Sequence, residues 1–354
     1  MSNRYGATRA EVVALLTEWG EPRYRADQLW DALYRAQIPL DDATALPRAL
    51  RQRLHEALPL ALESLTQVTA RDDMTTKWLW SCRRDGAQIE TVLMRYPERA
   101  TVCVSSQAGC AMGCTFCATG QAGFERHLDA GEIVEQVARA AHASPQRVSN
   151  VVFMGMGEPL ANYENTWTAV ERIHHDLGLS ARRITVSTVG VAPAMRRLAG
   201  EDLPVTLAVS LHAPTDAERD ELVPLNRRYP IAEVLDAAAE FAGAKGRRVT
   251  FEYACIAGVN DSLAQADVLG RVLGAFTGVG GAHVNLIPLN PTDGFGGHAP
   301  PPPSLRAFAD RLRAHRVAAT IRRNRGTDIA AACGQLRSRA AIPPGPAPSA
   351  TMDP

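Results

Sequence analysis

Cys110, Cys114 and Cys117 stand in the run CAMGCTFC, where spacings of three and then two residues put three thiols on one tight loop. A closed structural zinc site takes four protein ligands, and an iron-sulfur site complete in itself usually takes four cysteines. No fourth cysteine follows closely, and Cys103, seven residues upstream of the run, falls in the apolar stretch TVCVSS, which reads as a strand. Three thiolates can hold a four-iron cluster with one iron left open. An open iron binds a substrate or cofactor, so the loop points to catalysis. The plain alternatives are an incomplete zinc knuckle or chance thiols. Seven cysteines, an odd count in 354 residues, do not read as a disulfide framework. A reduced cytoplasm is the natural setting, and it would protect a cluster from oxidation.

The next chemistry-bearing residues fall at the ends of apolar runs. Gly155-Met156-Gly157-Glu158-Pro159 follows one such run; glycines let a ligand approach the backbone, and Glu158 could take an ammonium group. Read alone, this is only a tight turn. Ser187 and Thr188 end a second run, Ser210-Leu211-His212 a third and Asn290-Pro291 a fourth. Hydroxyls there suit ribose, while a lone His212 is as readily a satisfied structural residue. Cys82 and Cys255 read as buried apolar side chains.

The surrounding elements explain why these residues would meet. Residues 1–60 show helical spacing, in AEVVALLTEWG and YRADQLWDALYRAQ. Residues 61–99 change to a period near two, in LTQVTA, TTKWLWSC and QIETVLM, which predicts a small antiparallel β extension. From residue 100 to 340, strands TVCVSS, NVVFMGMG, RITVSTVG, VTLAVSLH, VTFEYAC and HVNLIPLN alternate with helices such as GEIVEQVARAAHA and ENTWTAVERIHHDL. VAATIRRN adds an edge strand. The alternation predicts an α/β fold, a partial (β/α)6 barrel of parallel strands with the site at their C-terminal ends. Residues 341–354 are proline-rich and read as a disordered tail.

Composition excludes little else. Hydrophobic residues make up 46% and charged residues 21%, and the net charge is zero. No apolar run approaches the ~20 residues that span a bilayer, and the N-terminus does not read as a secretory signal. Nearly all basic residues are arginine, and Arg306–Arg325 is dense in them with Asp310 the lone acid. Such a run suits phosphate and bases, although codon usage or a solvated helix face gives the same pattern.

CAMGCTFC resembles the cluster motif of the radical S-adenosylmethionine superfamily. With GMGEPL, VSTVG, SLHAP, VPLN, NLIPLNP and RGTDIAAACGQL in this order, the chain as far as Leu336 resembles the RlmN family of RNA methyltransferases, sister to the Cfr family. The resemblance implies a [4Fe-4S] cluster on Cys110, Cys114 and Cys117. It implies S-adenosylmethionine held by Gly157, Glu158, Ser187, Ser210, Leu211, His212 and Asn290. It implies methylation of adenine C2 in 23S rRNA, at the peptidyl transferase centre, and in tRNA. Cys333 would carry the methyl group, Glu90 would act as general base, and Cys103 would resolve the product through a transient disulfide. A monomer, an N-terminal RNA-binding domain, an electron donor such as flavodoxin and no membrane complete the picture. On residues alone, Glu90 is an exposed strand glutamate, Cys103 could point to either side of its strand, and Cys333 could be packing. The rival readings are a Cfr-type enzyme acting at C8 and a non-catalytic iron-sulfur protein that binds nucleic acid.

Overall fold

The computed structural model describes residues 3–274, 276 and 281–336. The expected tail at 341–354 lies outside them. Helix α1 (Arg9–Glu18) opens on a reciprocal cap: the Thr8 hydroxyl accepts from Glu11 N–H while the Glu11 carboxylate accepts from Thr8 N–H. Helix α2 (Tyr24–Trp30) runs directly into a π-helical turn, Asp31–Arg35, so the second predicted helix changes pitch halfway. Helix α3 (Arg48–Ala57) follows and buries Leu50 and Leu54.

The strands are β1 (Leu62–Thr69), β2 (Thr75–Cys82), β3 (Gln88–Tyr96), β4 (Arg99–Cys103), β5 (Gln107–Gly109), β6 (Phe124–His127), β7 (Val148–Phe153), β8 (Ile184–Thr188), β9 (Thr206–Ser210), β10 (Val249–Cys255), β11 (Ala282–Pro288) and β12 (Ala318–Ile321). Ten of them make one sheet in the order β1-β2-β3-β4-β7-β8-β9-β10-β11-β12. Strands β1 to β4 pair antiparallel, and each pair from β4–β7 onward is parallel. The β extension is therefore continuous with the barrel wall through the β3–β4 pair. The barrel stays open, since β1 and β12 end the order.

Helices α4 (Ala118–Ala122), α5 (Ala130–His142), α6 (Tyr163–His175), α7 (Ala192–Gly200), α8 (Asp216–Leu222), α9 (Ile231–Lys245), α10 (Leu263–Gly274) and α11 (Pro302–Ala314) connect the strands. Helix α5 starts on an Asp129/Glu132 capping box and buries Ile133, Val134 and Val137. Burying each such side chain contributes roughly 1.5–3 kcal/mol. The N-terminal helices are pinned to this layer: Arg172 on α6 donates to the carbonyls of Tyr5 and Ala7, and the buried Glu135 carboxylate accepts from Ala61 and Leu62 N–H.

The hairpin β5–β6 is a feature that period and spacing did not reveal. It brackets the cysteine loop at both ends. Gly109 adopts φ +72°, and a Cβ there would lie 2.1 Å from the Gly123 carbonyl oxygen. Three- and four-residue strands are too short for a hydrophobic period; close backbone approach at glycine makes this pairing.

Candidate active site

The loop carrying Cys110, Cys114 and Cys117 is tied down by backbone groups. Cys110 N–H donates to Gly123 O, Cys117 N–H to Cys114 O, and Thr115 N–H to Leu222 O. Cys114 is buried; Cys110 and Cys117 are half-buried. Burial pushes the Cys110 thiol up to about 12 and Cys114 well above its ordinary value, and in each case neighbouring thiols add to the rise.

Cys114 and Cys117 open into a cavity of about 150 Å³ at the C-terminal ends of the parallel strands. Gly157, Glu158, Ser187, Ser210, His212, Asn290 and Cys333 line it too. Seven strand-end and loop residues from five separate motifs thus meet around one space. Cys110 is not in the lining, although Glu158 and Cys117 act on it electrostatically. Leu211 is buried and does not line the cavity; its carbonyl accepts from Arg219 Nε at 3.0 Å.

Local geometry explains each placement. Gly157 has φ +99°, and a side chain there would strike Gln107. The Glu158 carboxylate accepts from Leu160 and Val189 N–H at 3.0 and 2.8 Å, bracing the turn after β7 against the end of β8; burial raises it to about 7. His212 has φ +63°, its Nδ1 accepts from Ala254 N–H at 3.0 Å, and burial lowers its ring to about 3. The ring is neutral with its proton on Nε2. Arg219, fully buried, donates to the Leu211, Ser210 and Val189 carbonyls and to Asn226 Oδ1. It braces two strand ends at once, and Asn226 is the asparagine of VPLN. Nothing in the spacing of Arg219 marked that role.

A second cavity, of about 210 Å³, shares Met154, Arg322 and Cys333 with the first. Cys103 lines it, with Val92, Tyr96, Arg323 and Arg325. Cys103 therefore points inward from β4, opposite Val92 on β3. Its thiol is pushed up to about 12, first by burial and then by Cys333, against the opposing pull of Arg322. Cys103 and Cys333 are both free thiols, as are the other five cysteines, so the implied disulfide is not present. Cys82 and Cys255 are fully buried, as expected.

The Cys333 loop is held on both sides. Asn290 Nδ2 donates to Cys333 O at 3.0 Å, Ala118 N–H to Gly334 O at 2.7 Å, and Arg71 N–H to Asp328 at 3.0 Å. Glu90 is not exposed, as a strand glutamate read alone would be. It is 1% exposed and its Oε1 lies 2.7 Å from Nζ of the buried Lys77. It lines neither cavity. The arginine run divides: Arg311 pairs with Asp267 and Arg313 with Asp310, while Arg322, Arg323 and Arg325 line the second cavity.

The residues around the first cavity fit a cluster and S-adenosylmethionine. Three clustered thiols whose desolvation disfavours the thiolate ionise readily only around added positive charge. Asn290 Oδ1 is buried without a partner, an acceptor left for a ligand donor. Among the described residues, no three of His, Cys, Asp and Glu could hold a single metal ion. A cluster makes no such demand, since its cysteines bind different irons. Also among the described residues, no helix is long and apolar enough to cross a membrane.

Comparison with known proteins agrees with this geometry. Residues 104–266 match the family model of the Radical SAM superfamily (SAM, S-adenosylmethionine). A probable dual-specificity RNA methyltransferase RlmN of Parafrankia sp. (strain EAN1pec) is 55% identical over 359 residues, covering 95% of this chain and 91% of that protein. A counterpart from Frankia alni is 54% identical over 338 residues, covering 91% and 80%. The crystal structure of a radical SAM methyltransferase from Sphaerobacter thermophilus superposes with a TM-score of 0.90 at 48% identity, over 96% of this chain and all of that one. With its cysteine loop, its open barrel and these relatives, the chain belongs to the RlmN family of radical SAM dual-specificity RNA methyltransferases.

Proposed function

We propose that this protein methylates C2 of an adenosine in 23S rRNA and of one in the tRNA anticodon loop, through a methyl group carried on Cys333. The observation that carries the reading is the place of Cys333 in the wall shared by two cavities. The first cavity opens to the cysteine loop and the second to Cys103.

Adenine C2 is a poor nucleophile, so it cannot displace a sulfonium methyl group directly. Cysteine sulfur can. A cluster on Cys110, Cys114 and Cys117, together with S-adenosylmethionine, supplies an electrophilic methyl group and, on one-electron reduction by a flavodoxin-type donor, a hydrogen-abstracting radical. Gly157 and Glu158 hold the methionine end, and Ser187, Ser210, His212 and Asn290 surround the rest. Cys333 sulfur takes the methyl group and gives up its proton. After hydrogen is removed from that methyl group, its carbon bonds to C2. Glu90 accepts the C2 proton as the adduct gives up one electron, for which the cluster, oxidised by its earlier one-electron donation, would be the acceptor; the ring is thereby restored. Cys103 sulfur then attacks Cys333 sulfur: the S–S bond forms, the S–CH2 bond breaks, and the carbon takes up a proton to become the product methyl group. Two-electron reduction by an external dithiol, itself oxidised to a disulfide, returns both thiols. Arg322, Arg323 and Arg325 give the second cavity a lining suited to phosphate.

The test is mass spectrometry of nucleosides from 23S rRNA and tRNA treated with anaerobically reconstituted protein. 2-Methyladenosine in both is the expected result. 8-Methyladenosine would move the reaction to the Cfr type, and no methylation at all would leave a binding protein.

A further inference from the structure

Lys77 and Glu90 form a charged pair in the interior of the sheet. Their side chains are 6% and 1% exposed and the contact is 2.7 Å. Lys77 Nζ also donates to the Ala330 carbonyl at 3.1 Å. The β2–β3 register sets Lys77 opposite Val92 and Leu79 opposite Glu90, so the ammonium reaches the carboxylate along a diagonal of one sheet face. Val92 in turn faces Cys103 on β4. Lys77, Glu90 and Cys103 thus share the face on which the Cys333 loop rests. Ala330, three residues before Cys333, holds a left-handed φ of +50° while its carbonyl meets Lys77.

Removing two ions from water is costly, and an apolar pair of similar volume commonly serves stability as well or better. What the pair supplies is a fixed position for the Glu90 carboxylate, held 2.7 Å from the Lys77 ammonium where water is excluded.

Resting on the reading of Glu90 as general base, we propose that Lys77 is the positioning residue for that base. Its ammonium holds the Glu90 carboxylate along the Cys103 face. Its second bond, to Ala330, sets the same ammonium against the loop that carries Cys333. Asn290, Ala118 and Arg71 hold the loop independently. Loss of Lys77 therefore spares the methylation of Cys333 and impairs the step that needs the base.

The experiment uses the full-length, cluster-loaded protein with an RNA substrate fragment, and separates two readouts. One is the methyl group on Cys333, read by protein mass. The other is the lifetime of the covalent protein–RNA adduct. Lys77→Met keeps Cys333 methylation within about twofold of wild type, the margin for an uncoupled site. It slows adduct breakdown by about 100-fold or more, the lower range of a general base. Lys77→Arg, which restores the charge, recovers most of the release rate. Glu90→Gln stalls at the same adduct, and adding Lys77→Met to it slows release by no more than about twofold further.

Normal release by Lys77→Met beside a slow Glu90→Gln overturns the proposal and leaves the base reading standing. Normal release by Glu90→Gln overturns both. Joint loss of Cys333 methylation and release in folded Lys77→Met shows a purely structural role and overturns the proposal. Where Lys77→Met alone does not fold, the double variant against Glu90→Gln decides, and a further slowing of about tenfold, well beyond additivity, overturns the proposal.

Discussion

The cysteine loop and the second cavity are built in opposite ways. The loop places three thiols within eight consecutive residues and closes them with one short hairpin. The second cavity gathers side chains from β3, β4, Met154 just after β7 and two stretches near the C-terminal end of the described chain. Their charge differs as well. The first cavity has two carboxylates in its wall, Glu158 and Glu252, with Arg322; among the described residues, the second has three arginines and no carboxylate in its lining. A wall with carboxylates suits a cationic sulfonium, and an arginine wall suits a polyanion. Cys333 lies where the two meet. A site for the cofactor can be written locally into the chain, whereas a site for the reaction has to be assembled.

The largest effects separate those two constructions. Cys333→Ala abolishes RNA methylation and leaves the cluster intact, because Cys333 is not one of the three proposed ligands. Cys110→Ala, Cys114→Ala and Cys117→Ala each abolish both the methylation and the broad visible absorption of the cluster. RNA methylation by Cys333→Ala, or a full cluster in Cys114→Ala, breaks the comparison.

Cys103→Ala tests the assembled cavity further. Addition to RNA proceeds and release does not, so protein accumulates covalently on RNA with a single methylene between Cys333 and adenine. Normal turnover without adduct would remove Cys103 from the resolving role.

A smaller effect sharpens the charge difference. Arg323→Glu with Arg325→Glu lowers RNA affinity and reduces the slope of log affinity against log salt by about one for each phosphate no longer neutralised. Arg311→Glu with Arg313→Glu leaves the slope unchanged, since Asp267 and Asp310 already engage those arginines. Equal slopes for both pairs, measured by RNA titration at several salt concentrations, would refute the division.

The smallest change concerns the hairpin. Gly109→Ala forces a left-handed backbone on alanine, worth about 1–3 kcal/mol before any clash is counted. A Cβ would also meet the Gly123 carbonyl at 2.1 Å. Thermal unfolding shows the lower midpoint, and iron analysis shows reduced cluster content although every cysteine remains.

What the chain determined by itself is what short covalent spacing controls. Three thiols three and two residues apart must share a loop. Alternation and helical period set the parallel strands, including β12 at the edge, and Asp129 with Glu132 sets the start of α5. The motif ends Gly157, Ser187, Ser210 and Asn290 were legible because parallel strands carry their loops to one side. Tertiary structure decided the rest. Cys103 alternates with valines, and only the pairing with Val92 turns it toward Cys333. A one-residue slip would have reversed it. Glu90 looked like a solvent-facing strand glutamate until β2 laid Lys77 beside it. The arginine run looked uniform until α11 and β12 sent its two halves to different neighbours. Each of these depends on which strand lies next and in what register, a choice made by burying a whole sheet face, and no local spacing carries that information.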